Sequence, residues 1–124
     1  MTKLITIKAG AVTTSATLND SPTAEAIWNA LPIEGSANIW GDEIYFSIPV
    51  SLGEEQDAQA EVQLGDLAFW PPGNAFCIFY GPTPASIENE PRAASPVNVF
   101  GQVEGDATIF RSVGNGAKVS IQAQ

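Results

Sequence analysis

The chain of 124 residues is long enough for one domain with a real core. Fourteen acidic residues against five basic ones leave a net charge of -9, which argues against nucleic acid and anionic membranes, both of which call for basic patches. Histidine is absent, so the commonest general base and metal ligand is missing, and the lone Cys77 has no second cysteine for an internal disulfide. No cofactor and no metal site are expected. No apolar run reaches membrane-spanning length, and residues 1–8 alternate as a strand does rather than forming a signal peptide, so a soluble cytoplasmic protein is expected.

The pattern of residues 4–8 and 12–18 around Ala9-Gly10-Ala11 predicts a hairpin. Ser21 is a good helix N-cap and Pro22 suits the first helical position. Glu25 suits a capping box or the helix N-terminus. Ala24, Ile27, Trp28 and Leu31 then recur at helical spacing and predict a helix packed on a sheet, with Trp28 in the core, ended by Pro32. Residues 33–36 read as a connector.

Residues 37–40 and 43–50, joined by Gly41-Asp42, read as the next hairpin. The period of two puts Ile44, Phe46 and Ile48 on a core face and Glu43, Tyr45 and Ser47 on the face that solvent or a ligand meets. Trp40 lies across the turn from Glu43 and joins that face. The acidic run 53–61 reads as a solvated loop, because its carboxylates lack the alternating spacing of a calcium loop.

The densest signal is the stretch 65–84. Residues 67–70 form a short apolar strand, which Pro71-Pro72 ends because neither residue has an N–H to donate. Gly73-Asn74 tolerates positive φ and reverses the chain. Residues 75–80 are apolar without alternation, as in a strand covered on both faces, and Cys77 is expected to be buried there. Residues 85–95 read as a long loop. In the following strand Val97, Val99 and Val103 are expected to face one way and Asn98, Phe100 and Gln102 the other. Asp106 is placed to cap a short helix through Ile109, Phe110 and Val113, and residues 118–122 close the chain as a strand. Many short strands with one helix near each end predict a mainly β fold, its sheet closed into a barrel.

Two segments carry a family resemblance. They are Asn38-Ile39-Trp40-Gly41-Asp42-Glu43-Ile44-Tyr45-Phe46 and Trp70-Pro71-Pro72-Gly73-Asn74-Ala75 followed by Gly81-Pro82-Thr83-Pro84. Ala94-Ser95-Pro96-Val97-Asn98-Val99-Phe100-Gly101 adds to them. Together they resemble the cyclophilin-like domain family of small, uncharacterised prokaryotic proteins, over essentially the whole chain. The resemblance implies a single domain over residues 1–124. It also implies a closed antiparallel β-barrel of about eight strands with two short covering helices. It implies no established activity.

True cyclophilins bind an X-Pro segment on the barrel's outer face and aim an arginine at the prolyl nitrogen. Their Phe-His-Arg motif is not found here; Arg92 is expected in a loop and Arg111 in a helix, so isomerase activity is not expected. Three readings remain. The first is a binding protein whose aromatic pocket accepts a small molecule or peptide. Its candidate lining is Trp40, Glu43, Tyr45, Trp70, Pro72, Asn74, Asn98, Phe100 and Gln102. Tyr45, Trp70 and Phe100 are expected on one face, with Glu43, Asn98 and Gln102 orienting the ligand. The second is an enzyme, either an isomerase or one with Glu43 or Asp66 as acid/base and Tyr45 as donor, although Asp66 more simply caps a turn. The third is a structural protein, with a homo-oligomer allowed and no ligand.

Overall fold

The computed structural model describes residues 3–124, so Met1 and Thr2 of the expected first strand lie outside the described residues. Strands β1 (Lys3–Ala9) and β2 (Val12–Leu18) form the expected hairpin, turned at Gly10 with φ +57°. Ile5, Ile7 and Ala9 point into the core while Lys8 stays exposed, as the alternation requires, and Lys3 is exposed at the start of the strand.

Helix α1 (Pro22–Ala30) follows. The Ser21 hydroxyl accepts from the Ala24 N–H at 3.1 Å, and Pro22 opens the helix where no N–H is needed. Ala24 and Ile27 are buried; Trp28 is half-buried, with the Lys3 ammonium 5.7 Å from its ring centroid. Glu25 stays exposed in the first turn, where its charge suits the helix dipole.

The remaining strands are β3 (Ile33–Ser36), β4 (Asn38–Ile39), β5 (Glu43–Ser47), β6 (Gln59–Glu61), β7 (Asp66–Trp70), β8 (Ala75–Phe79), β9 (Arg92–Val103) and β10 (Lys118–Ala123). Short 3-10 helices cover Pro71–Gly73 and Ala107–Ser112, the second capped by Asp106 as expected. The ladder is antiparallel and runs β3-β10-β1-β2-β9-β7-β8-β5-β4, with β6 paired to β9 beside it.

Three expectations are corrected. Hydrogen bonds join nine strands in an open path, with a tenth, β6, beside it, and do not close the expected barrel of about eight strands. The end strands β3 and β4 are consecutive in the chain; Ala37 links them and donates its N–H to Ala117 O at 2.8 Å instead of letting them pair with each other. One α-helix and two 3-10 helices stand in place of two short helices. Segments read as connector or loop are partly strand: residues 33–36 pair with β10, and Gln59–Glu61 pairs with the start of β9. Ile33 is buried, and Gly35 lets the Phe46 ring lie against the backbone, since a Cβ there would stand 2.8 Å from Phe46 Cδ2.

The inner face holds the main core. Phe46 stacks on Phe76 at 5.1 Å between centroids, and Phe76 meets Phe100 edge-on at 5.0 Å. A second, smaller cluster of Val62, Ala68, Ala75, Cys77, Phe79, Ala93 and Val97 lies on the outer face. The first half of β9 supplies Ala93 and Val97 to it. Among the described residues no helix is long and apolar enough to cross a membrane.

Candidate functional site

The β4–β5 turn positions the first two side chains of a cleft. Gly41 adopts φ +61°, and the Trp40 N–H donates to Glu43 O at 2.9 Å, so Trp40 and Glu43 flank the reversal. The turn is docked on the Gly81-Pro82 segment. Asp42 N donates to Pro82 O at 2.9 Å, and Tyr80 N donates to Asp42 O at 2.9 Å. Gly81 has no room for a Cβ, which would collide with the Asp42 carboxylate. Thr83 then donates its hydroxyl to Arg92 O, beside Ala93 and Ala94. The Gly-Pro-Thr-Pro segment thus joins the two banks of the cleft, the Trp40–Glu43 turn and the start of β9.

Trp70 closes the third side. It ends β7 where Pro71-Pro72 leave the ladder, and its ring packs on Gly73, where a Cβ would stand 2.9 Å from Cε3 and Cζ3. Its indole N–H donates to Ser95 Oγ at 2.7 Å, which fixes the ring against β9. Tyr45 stands on the outer face of β5, opposite Cys77 of β8. Trp40, Glu43, Tyr45, Trp70, Ala93 and Ala94 together line a cavity of about 250 Å³. That is slightly below the ~300–1,000 Å³ of drug-sized sites.

The floor of the cleft carries a carboxylate short of partners. Glu43 is 5% exposed, sits opposite Phe79 in the ladder, and its Oε1 is buried without a hydrogen-bond partner. Burial pushes its carboxyl up to about 7, and a hydrogen bond with the Cys77 thiol acts the other way. The thiol also lies 3.9 Å from Ala75 O. Cys77 is buried as expected, and burial followed by the Glu43 charge raises its thiol well above the usual range. Among the described residues no group of three or more histidine, cysteine, aspartate or glutamate side chains is placed to hold a metal.

Four of the nine expected lining residues, Trp40, Glu43, Tyr45 and Trp70, come together. Pro72 is exposed in the 3-10 helix outside the cleft. Asn74 closes that helix with φ 47°, its N–H bonded to Pro71 O at 3.2 Å and its carbonyl to Ile48 N at 2.9 Å, which is a turn's role. Asn98, Phe100 and Gln102 are corrected by a register shift. Leu67 pairs with Gly101 but Ala68 pairs with Val99, so Phe100 is the extra residue of a bulge.

Before the bulge, Asn98 and Phe100 share a side as expected, but it is the core side, and Val97 and Val99 face the outer cluster. After it the sides exchange, putting Val103 inward and Gln102 out. Phe100 is therefore fully buried, away from Tyr45 and Trp70. Asn98 instead pins residues 53–55: Oδ1 accepts from Glu55 N at 2.8 Å, and Nδ2 donates to Gly53 O at 3.0 Å and Thr23 Oγ1 at 3.2 Å. Gln102 donates to Asp66 Oδ1 at 3.3 Å. Asp66 Oδ2 also accepts from Gln63 N at 2.8 Å, so Asp66 caps a turn outside the cleft, its carboxyl raised by burial.

Arg92, expected in a loop, opens β9 and is held by Glu90 at 2.8 Å and Glu61 at 3.0 Å. Arg111 lies in the 3-10 helix, 3.4 Å from Asp42 Oδ2. Ala93 and Ala94 were missed as lining; their only signal was small size in a stretch read as loop.

The family model described as Cyclophilin-like matches residues 3–122. Among solved structures, a hypothetical protein from Archaeoglobus fulgidus, determined in solution, is similar with a TM-score of 0.83 and 35% identity, over 99% of this chain and 95% of that one. McbB, solved in complex with tryptophan, is similar with a TM-score of 0.72 and 17% identity, over 95% of this chain and 44% of that chain; this likeness concerns the fold alone. No match was found among curated proteins.

Proposed function

The chain belongs to the cyclophilin-like family, and we propose that it is a binding protein whose outer cleft accepts a small molecule or a peptide side chain. One observation carries the reading: the rings of Trp40, Tyr45 and Trp70 border a cavity of about 250 Å³ with Glu43 at its floor. Aromatic walls supply contact area at low entropy cost, and a single buried polar group supplies orientation. The walls are held by the docked turn, by Gly73 and by Ser95, so little ordering remains for the ligand to impose.

A second reading draws on Glu43 alone. A carboxyl with a midpoint of about 7 is matched to proton transfer near neutral pH, with Tyr45 as the neighbouring donor. Prolyl isomerisation draws no support from the arginines, because Arg92 is committed to Glu61 and Glu90 and Arg111 to Asp42.

A small-molecule library screened by thermal shift tests the binding reading, and tryptophan, the compound in the McbB complex, belongs in it. Hits that raise the melting temperature of the protein, and lose that effect in Trp70→Ala and Tyr45→Ala, are expected. A screen whose hits stabilise both variants as well as the parent would place binding elsewhere. A hit that is chemically changed by the parent and left intact by Glu43→Gln would favour the enzyme.

A further inference from the structure

Resting on the binding reading above, we propose that the cleft selects a ligand bearing a protonated amine, with one N–H donated to the Glu43 carboxylate and the adjoining hydrocarbon laid against Trp40, Tyr45 and Trp70. The argument starts from the orphan oxygen. A buried acceptor without a donor is costly, and the Glu43 side chain that carries it lines the cavity, so a donor to its carboxylate can arrive with the ligand.

The rest of the lining decides the charge of that donor. The faces of aromatic rings carry negative potential and attract cations. The Trp70 indole N–H is already given to Ser95, which removes one donor an anion would need. The nearest guanidinium along β9, Arg92, is held by Glu90 and Glu61. Ala93 and Ala94 add no charge. The chain's net charge of -9 acts in the same direction at longer range. An ammonium has three donors and no acceptor, so it satisfies the carboxylate while turning its remaining hydrogens toward the rings.

The test compares benzylamine, benzyl alcohol, benzoate and benzyltrimethylammonium, which share one ring. Binding is followed by the indole N–H signals of Trp40 and Trp70 in NMR titrations, above the Glu43 midpoint of about 7, where benzylamine keeps its proton. Benzylamine is expected to bind at least about tenfold tighter than the alcohol and the trimethylated cation, which lacks an N–H, with benzoate weakest. Glu43→Gln is expected to bring the amine down to the alcohol. The amine proposal is overturned by an amine no tighter than the alcohol, or by a preference that survives Glu43→Gln. Benzyl alcohol that still moves the indole signals in those cases leaves the binding reading standing. If no probe moves either indole signal, both fall. The comparison among probes on the unchanged protein decides the question even if Glu43→Gln does not fold.

Discussion

The same three strands, β5, β7 and β8, build two unlike surfaces. Their inner faces carry Ile44, Phe46, Leu67, Phe69, Phe76 and Ile78, all close to fully buried. Rings stack on rings there, and the space inside the sheet is filled. Their outer faces carry Ala68, Ala75 and Cys77, with Tyr45, Trp70 and Glu43 around them. Tyr45 and Trp70 pack against this buried cluster, and the cleft opens between their rings, Trp40, Glu43 and the small Ala93 and Ala94 of β9. The contrast also explains Glu43: a carboxylate on the inner face would displace core, whereas on the outer face it is desolvated by Phe79 and still meets the cavity.

The largest expected effect breaks the inner face. Phe46→Ala is expected to cost about 3–5 kcal/mol and Ile78→Ala about 2–5 kcal/mol in urea unfolding, because each leaves a cavity in a packed core. A loss below about 0.5 kcal/mol for either would mean that the two faces are assigned the wrong way round.

The next effect sharpens the contrast at Glu43. Its folded midpoint of about 7 stands above the ordinary 4.5, so between these values the folded protein holds a proton that the unfolded chain has released. The neutral form therefore contributes stability that is fully present below 4.5 and is lost as pH rises through about 7. The gap corresponds to a loss of order 3 kcal/mol. Asp66, also raised, adds a loss of the same sign, while Glu90 and Asp106, both lowered, act oppositely. The measurement is accordingly the difference between the parent and Glu43→Gln across this pH range. The variant is expected to gain on the parent as pH rises, and a constant difference would remove the claim that Glu43 is desolvated.

The smallest effect on stability probes the outer face. Ala94 is exposed at the edge of the cleft, so Ala94→Leu is expected to change stability by no more than about 0.5 kcal/mol. The same variant should abolish the response of the Trp70 indole N–H to benzyl alcohol by occupying the space the ring needs. A response that persists would show that the cavity is not the place of binding.

Local pattern settled much of this protein. The alternation of residues 43–48 sorted Ile44, Phe46 and Ile48 from Glu43 and Tyr45, and Ser21-Pro22 marked where the helix begins. Trp70-Pro71-Pro72-Gly73-Asn74 marked a turn, because proline cannot donate to a ladder and Asn74 tolerates positive φ. These features depend on neighbours within a few residues, and Trp40, Glu43, Tyr45 and Trp70 could be read from them as one cluster.

Tertiary structure alone decided the rest. A period of two separates the sides of β9 but does not say which becomes the core when both are covered, and the valine side packs into the outer cluster with Ala68 and Cys77. The bulge at Phe100 then exchanges the sides, and its signal lies in pairing with β7, some thirty residues earlier in the chain. Residues 33–36 and 59–61 are too short and polar to announce a strand, and become one only when β10 and β9 arrive beside them. The orphan oxygen of Glu43 belongs to the same class: the residue pairs with Phe79 and shares the cavity lining with Trp70 and Ala93, which meet only after the sheet has folded.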